Sequence, residues 1–297
     1  MLTLFSIPKA FSGESQTIQS NAIGSWRRLG ADCQLIMFGD EEGIGEAAER
    51  FGALHVPEVA RTPHGTPIVS DAFSRAEQLA RFSTLCFVNA DIILLDDFLT
   101  TVRTVSALCR QFLIISSRFD LQIDGALEFA RGWDQDLRRR VRMDGKMYPS
   151  GGSDVFVYPR GLFAAMPPFA IGRGYWDNWL MYRAVQSGAR MIDATELLTA
   201  VHQNHHYRHV PGIPVSSDIF DVLRSDEARL NLALAGGKGH IFTAYDSTDI
   251  LTDGGQIVST LRPSLISRRL KAWIRRTAAV VTAGRGEKRA DPARNDR

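Results

Sequence analysis

Short apolar runs and helical stripes alternate along the first half of the chain. Leu2–Ile7 is an apolar run ended by Pro8 and predicts a strand. Glu14–Leu29 carries Ile18, Ala22, Trp26 and Leu29 at helical spacing and stops at Gly30. Cys33–Phe38 is a second apolar run, closed by Gly39-Asp40; Glu41–Phe51 reads as a short helix and Leu54–Val56 as a brief strand. A proline-rich loop, Pro57–Pro67, leads into a helix over Ile68–Phe82. Thr84–Val88 is an apolar run that passes straight through Asn89-Ala90-Asp91 into Ile92–Leu95. A helix over Phe98–Gln111 and a strand over Phe112–Ser116 complete the series. Uninterrupted apolar strands separated by helices imply a Rossmann-like α/β fold, with a mostly parallel central sheet and helices on both faces.

The second half is less regular. Gly125–Arg142 predicts a charged helix, Met147–Asp154 a Gly/Ser loop, Val155–Tyr158 a strand and Met166–Pro168 a turn. Trp176–Ser187 predicts a helix, Met191–Val201 one or two strands, His202–Ile213 a histidine-dense loop, and Ser225–Ala235 a helix. Ser264–Val281 predicts a basic helix, and 282–297 has the composition of a disordered tail. The expected organisation is one α/β domain over 1–260 followed by a basic segment over 261–297.

Composition sharpens this in two places. The net charge is only +2, so nucleic acid is not an expected partner. From Arg268 onward there are ten basic and three acidic residues, +7, which leaves 25 basic and 30 acidic groups, −5, on residues 1–267. Cys33, Cys86 and Cys109 are widely spaced among apolar residues and read as buried reduced thiols. With neither a signal peptide at Met1–Ala10 nor a spanning apolar stretch, the expected location is the cytoplasm.

In open parallel sheets, ligands bind beyond the carboxyl ends of the strands. That rule picks out Pro8-Lys9, Asp40, Asn89-Ala90-Asp91 and His202, predicted on one rim. A strand covered on both faces that continues through an aspartate must satisfy that carboxylate. A divalent cation carried by a diphosphate would do so, since Mg²⁺ and Mn²⁺ favour carboxylate and phosphate oxygens; the alternative is a bulge that turns Asp91 to water. Asp96 and Asp97 read as helix-capping groups. Tyr175, Trp176 and Trp179 surround Asp177 at a helix start, and aromatic faces suit sugar rings; the plainer reading of Asp177 is an acid placed on the helix dipole. His202, His205, His206 and His209 crowd one stretch, but their spacing matches no HExxH zinc pattern.

Phe87-Val88-Asn89-Ala90-Asp91-Ile92-Ile93-Leu94 resembles the Asp-x-Asp segment of GT-A-fold nucleotide-sugar glycosyltransferases. The helix before it, 67–82, is similar to the helix that lines the donor site there. Residues 150–159 and 167–182 resemble the acceptor-side strand and the helix that carries the catalytic carboxylate. With 201–209, the order of segments is similar to a bacterial group of this superfamily over roughly 1–250. The resemblance implies transfer of a sugar from a nucleotide diphosphate sugar to a glycan or lipid-linked acceptor hydroxyl, with Mn²⁺ or Mg²⁺ as cofactor. It implies Asp177 as general base, donor contacts from Asn89 and Asp91, acceptor contacts from Tyr175, Trp176 and Trp179, and metal ligation by Asp91 with His202 or His205; Asp40 and Arg75 are further donor-side candidates, the alternatives being a plain turn residue for Asp40 and a solvated helix face for Arg75. Asn89 departs from the pattern, so metal binding would rest on Asp91 while the amide meets sugar or ribose hydroxyls. Arg173 is a further candidate for phosphate.

Two other functions fit parts of this pattern. A nucleotidyltransferase would use a similar sheet and metal, but its Gly-rich, Arg-containing loop is missing from Ser6–Phe11. A non-catalytic sugar- or nucleotide-binding protein of the same fold would tolerate Asn89. Finally, Leu265, Ile266, Leu270, Trp273 and Ile274 fall within helical reach of one another, flanked by Arg268, Arg269, Lys271, Arg275 and Arg276. That pattern suits peripheral contact with an anionic membrane at the inner face of the cell membrane, in cell-envelope or exopolysaccharide synthesis; docking on the catalytic domain is the alternative.

Overall fold

The computed structural model describes residues 1–148, 153–205 and 222–260, and Met1–Thr260 make one compact unit. The predicted helix over 264–281, the tail over 282–297, and His206 and His209 lie outside the described residues.

β1 (Leu2–Ser6), β2 (Cys33–Phe38) and β3 (Leu54–Val56) run parallel, with β4 (Thr84–Val88) on the other side of β1. β9 (Val155–Pro159) runs antiparallel between β4 and β6 (Phe112–Ile115). Beyond β6 come β10 (Arg190–Asp193), β12 (Asp249–Leu251) and the antiparallel β13 (Ile257–Ser259). The large sheet therefore reads β13-β12-β10-β6-β9-β4-β1-β2-β3. All of β1 and β2 is buried, which is why these strands read as continuous apolar runs.

Alternation along each strand divides two packing faces. On one, Leu2 and Leu4 of β1 and Cys86 and Val88 of β4 share a core with α1 (Gly13–Arg27), α2 (Ile44–Phe51) and α4 (Asp97–Leu108). On the other, Phe5 and Phe87 meet Phe73 of α3 (Val69–Leu79), at ring distances of 4.9 and 5.5 Å. The same face receives Trp176, the first residue of α6 (Trp176–Gln186).

A second sheet stands beside the single central sheet that the sequence predicts. β5 (Ile92–Leu94), β11 (Ala200–Gln203), β7 (Arg118–Leu121) and β8 (Lys146–Met147) pair in that order. Met191–Val201 thus holds two strands that belong to different sheets, and the predicted loop from His202 begins two residues later, because His202 and Gln203 are ladder residues. β5 serves both cores: Ile92 and Leu94 face the large one, Ile93 and its neighbour Leu95 the small one. Leu137 and Val141 of α5 (Trp133–Asp144) cover the small sheet.

The helix expected over Gly125–Arg142 starts only at Trp133. Asn21 takes up the backbone of the missing turns, donating to Gly125 O and accepting from Leu127 N at 2.8 Å. Gly132 then enters α5 with φ 85°, a left-handed conformation that side chains disfavour. Asp96 and Asp97 do not cap α4 through their side chains; both pair with Arg138 of α5. Ser225 does cap α7 (Asp226–Leu234), the last α-helix among the described residues, accepting from Ala228 N at 3.2 Å. Cys33 and Cys86 are buried and Cys109 half-buried, all as free thiols. Among the described residues no helix is long and apolar enough to cross a membrane.

Candidate functional site

β1, β2 and β4 are parallel neighbours, so Lys9, Asp40 and Asn89 follow strand ends at one edge of the large sheet. At that edge the chain leaves β4 through Asn89-Ala90-Asp91 and enters β5 of the small sheet. Asp91 precedes Ile92, which is the register partner of His202 on β11. The ladder thus carries His202 beside Asp91, and His205 follows three residues on.

Both imidazoles approach one carboxylate oxygen. His205 Nε2 lies 3.2 Å and His202 Nε2 3.7 Å from Asp91 Oδ2. The three candidate ligand atoms all fall within 4.8 Å of one another. Asp91 Oδ1 is buried and has no hydrogen-bond partner among the described residues. An unpartnered oxygen on a buried carboxylate is costly and calls for a ligand. Burial alone would raise the Asp91 pKa, but the hydrogen bond from His205 and the nearby His202 and Lys9 outweigh it, and the group is held well below the usual carboxylate range. Lys9, a rim residue without an assigned role in the sequence, is half-buried beside this cluster; desolvation lowers its pKa and Asp91 partly restores it. Its backbone is clamped on both sides by the Gln19 amide, at 2.7 and 2.9 Å. One carboxylate and two imidazoles form a donor set for a divalent transition-metal ion such as Mn²⁺, Fe²⁺ or Zn²⁺; Mg²⁺ would need further oxygen ligands.

Asn89 points away from a role as a second acidic ligand. Its Nδ2 donates to Asp154 Oδ1 at 2.6 Å, and Asp154 Oδ2 accepts from Arg118 Nη1 at 2.6 Å. Arg118 Nε reaches Asp120 Oδ1 at 3.0 Å, and Asp120 Oδ1 is 3.0 Å from His202 Nδ1. Arg118 loses charge stability by burial but gains more from Asp154, Asp120 and Asp91, so it stays a cation. Arg118, Asp120 and Asp154 were missed from sequence. Arg-Phe-Asp at 118–120 is short and polar, and no local pattern singles it out before β11 and β8 pair with it.

Asp177, in the first turn of α6, has Oδ1 buried without a partner among the described residues. Burial pushes its pKa up to about 6; the Asp154 charge acts in the same direction, against the Asn178 amide and Arg118. The preceding Tyr175 has φ 67°, and no other non-glycine residue among those described has a positive φ. A tyrosine held there stores strain on the order of 1–3 kcal/mol, a feature that clusters at working sites. Asn231 of α7 holds this turn by accepting from Ala170 N and donating to Gly174 O, at 2.9 and 3.0 Å.

For the other aromatics the structure differs from the expectation. Trp176 is 5% exposed and packs edge-on against Phe87, and Trp179 is 7% exposed against Phe169. Their rings belong to the core because the first turn of α6 lies on the aromatic face of the sheet, and only Tyr175 is left half-buried at the turn. Arg173 is already engaged: it pairs with Glu227 at 2.6 Å, and Glu227 also accepts from Thr62 and Thr66 at 2.6 and 2.9 Å.

Asp40 and Arg75 line one cleft of about 400 Å³ together with Pro57, Glu58, Ala60 and Arg61. Asp40 is paired with Arg61, and Arg75 with Asp71 at 3.0 Å. Two residues far apart in sequence are thus brought to one wall at the same sheet edge.

No protein-family description matches the sequence, and no curated protein matches it. Among solved structures, TarS 1–349 of S. aureus in complex with UDP-GlcNAc is 12% identical, covering 81% of this chain and 72% of that one, with a TM-score of 0.50. Glucosyl-3-phosphoglycerate synthase of Mycobacterium tuberculosis, in complex with Mn²⁺, UDP and glucosyl-3-phosphoglycerate, is 19% identical over 80% of each chain, with a TM-score of 0.45. The mannosyltransferase PcManGT of Pyrobaculum calidifontis, with GDP-Man and Mn²⁺, is 14% identical over 79% and 74%, with a TM-score of 0.46. At these identities a likeness concerns architecture alone, and the TarS match agrees with the mixed sheet described above. The chain has the GT-A fold.

Proposed function

We propose that the chain is a glycosyltransferase that moves a sugar from a nucleotide diphosphate sugar to an acceptor hydroxyl with help from Mn²⁺ or Mg²⁺. The observation that carries this reading is the Asp91–His202–His205 cluster, with its orphaned carboxylate oxygen, at the strand-end edge of a GT-A sheet. The likeness to TarS, crystallised with UDP-GlcNAc, supports the donor class.

Asp91, His202 and His205 would hold the cation. When bound, it would neutralise charge that develops on the departing diphosphate. Lys9 adds a positive charge at the same edge. Asn89 donates through Nδ2 to Asp154, which leaves its carbonyl oxygen for a sugar or ribose hydroxyl. Asp40 and Arg75 offer the cleft wall to the nucleoside and diphosphate. Tyr175 offers a ring face to the acceptor. In an inverting transfer Asp177 takes the acceptor proton; a base with a pKa near 6 is ionised at neutral pH and more basic than an ordinary aspartate. The basic segment over 264–281 supports an acceptor at the inner face of the cell membrane, a glycan or lipid-linked saccharide of envelope or exopolysaccharide synthesis, with the enzyme otherwise cytoplasmic.

Calorimetric titration with UDP- and GDP-sugars, with and without Mn²⁺, followed by a donor-hydrolysis assay, tests the reading. Metal-dependent binding with sugar release supports it. Binding without turnover would favour a non-catalytic sugar-nucleotide protein, and release of diphosphate from a nucleoside triphosphate would favour a nucleotidyltransferase.

A further inference from the structure

We propose that Asp120 is a positioning residue for the cation site, fixing the His202 ring so that Nε2, and not Nδ1, is presented beside Asp91. The inference rests on the metal-site reading above and adds a residue to it. His202 and Asp120 are register partners in the parallel ladder of β11 and β7, so the backbone sets them side by side. His202 Nδ1 lies 3.0 Å from Asp120 Oδ1, within ion-pair reach but turned off hydrogen-bond alignment, so that a small rotation of either side chain completes the bond, while Nε2 lies 3.7 Å from Asp91 Oδ2. His202 is 6% exposed, so water is a poor substitute partner for Nδ1.

Asp120 is itself held. Arg118 Nε binds Oδ1 at 3.0 Å, Arg118 Nη1 binds Asp154 at 2.6 Å, and Asp154 accepts from Asn89 at 2.6 Å. The path Asp91–His202–Asp120–Arg118–Asp154–Asn89 therefore closes on the two ends of a single tripeptide. Asp120 is engaged by Arg118 and His202 and stands outside the three-residue cluster, which makes it a support and not a ligand. An imidazole has two ring orientations that place different nitrogens at a metal. A carboxylate that accepts the Nδ1 proton selects the orientation and tautomer in which the Nε2 lone pair is available. Loss of such a partner weakens metal binding by about 10–100-fold.

The test measures Mn²⁺ affinity directly, by the electron paramagnetic resonance signal of free Mn²⁺, in the full chain and in Asp120→Asn and Asp120→Ala. Long-range ¹H–¹⁵N correlation spectra of the metal-free wild-type protein read the His202 tautomer. The expected result is an Nδ1–H tautomer in wild type and Mn²⁺ binding about 10–100-fold weaker in Asp120→Ala, with Asp120→Asn between the two. Asp120→Ala that keeps the wild-type melting temperature and binds Mn²⁺ as tightly as wild type overturns the inference and leaves the metal site standing. An Nε2–H tautomer in wild type overturns it even if the variants do not fold. Wild type that binds no Mn²⁺ overturns both this inference and the metal reading on which it rests.

Discussion

The indole of Trp176 stands edge-on to the ring of Phe87, with centroids 5.1 Å apart and planes at 81°. Phe87 lies on the strand that delivers Asp91, and Trp176 immediately precedes Asp177. One aromatic contact thus braces the metal-side strand against the helix of the proposed base. Trp176→Ala is expected to cost about 3–5 kcal/mol of stability in urea unfolding. Trp176→Phe should lose much less, and both donor affinity and turnover should fall in the alanine variant. Loss of neither would mean that the two halves of the site are braced elsewhere.

Asp91→Asn should abolish transfer and remove the Mn²⁺ dependence of nucleotide binding, because no other carboxylate belongs to the three-residue cluster. Titration of UDP and GDP in Mn²⁺ and in chelator measures this. Full activity of the variant in excess chelator would sink the metal assignment.

Asp177→Asn retains the shape of the side chain but cannot take a proton. Turnover should fall by about a hundredfold or more with donor binding nearly intact. In wild type, kcat/KM should rise with pH and level off above about 6, where Asp177 is ionised. The stability sign is the reverse. A carboxyl whose folded pKa is raised binds its proton more tightly when folded, so folding stability falls as pH rises from its ordinary pKa to about 6. The asparagine variant escapes that penalty and should be more stable than wild type at pH 7.5 by about 1–3 kcal/mol, the difference vanishing near pH 4. Equal melting temperatures at both pH values would contradict a raised pKa at Asp177.

Glu227 gathers Thr62, Thr66 and Arg173 and so ties the loop beside the Asp40–Arg75 cleft to the turn before Tyr175. Glu227→Ala would leave half-buried Arg173 without a counter-ion, its Nη2 still donating to Thr66 Oγ1 at 3.2 Å, a loss of about 2–3 kcal/mol, below the roughly 3–5 for a fully buried pair. Limited proteolysis should then cut within 57–67 sooner than in wild type. An unchanged cleavage pattern would show that the loop is held without Glu227.

Each Lys or Arg near an anionic bilayer adds about 1 kcal/mol of attraction. The full chain is therefore expected to sediment with phosphatidylserine vesicles at low salt and to be released as salt rises. A chain ending near Pro263 should remain in the supernatant and still bind donor. If both ignore the vesicles, the proposed membrane acceptor loses its main support.

The parts of the molecule legible in the sequence are those governed by a single strand or helix. Thr84–Val88 is buried on both faces, so its entry into Asn89-Ala90-Asp91 stood out as a run of apolar residues meeting a carboxylate. Asp177 stood out as an acid at a helix start. Arg118–Leu121 gave no such sign: Arg-Phe-Asp-Leu is short and polar, and it becomes a strand only because β11 and β8 pair with it. Asp154 is likewise defined by Asn89, 65 residues away. The tryptophans failed for a related reason. Clustered aromatics announce themselves, but whether they face a ligand or a sheet depends on Phe87 and Phe169, which belong to other segments. In the stretch from Gly125, helical periodicity was overruled by the amide of Asn21.

The double service of β5 limits how this chain can vary. Lengths of surface loops drift freely in evolution and in the laboratory, but the seven residues from Asn89 to Leu95 cannot. One inserted residue after Asp91 would turn Ile92 and Leu94 out of the large core and Ile93 and Leu95 out of the small one in the same stroke. Any redesign of this sheet edge should therefore keep the stretch at fixed length and place its insertions elsewhere, since the ruler that spaces the acid from the helix behind it is also the seam between the two sheets.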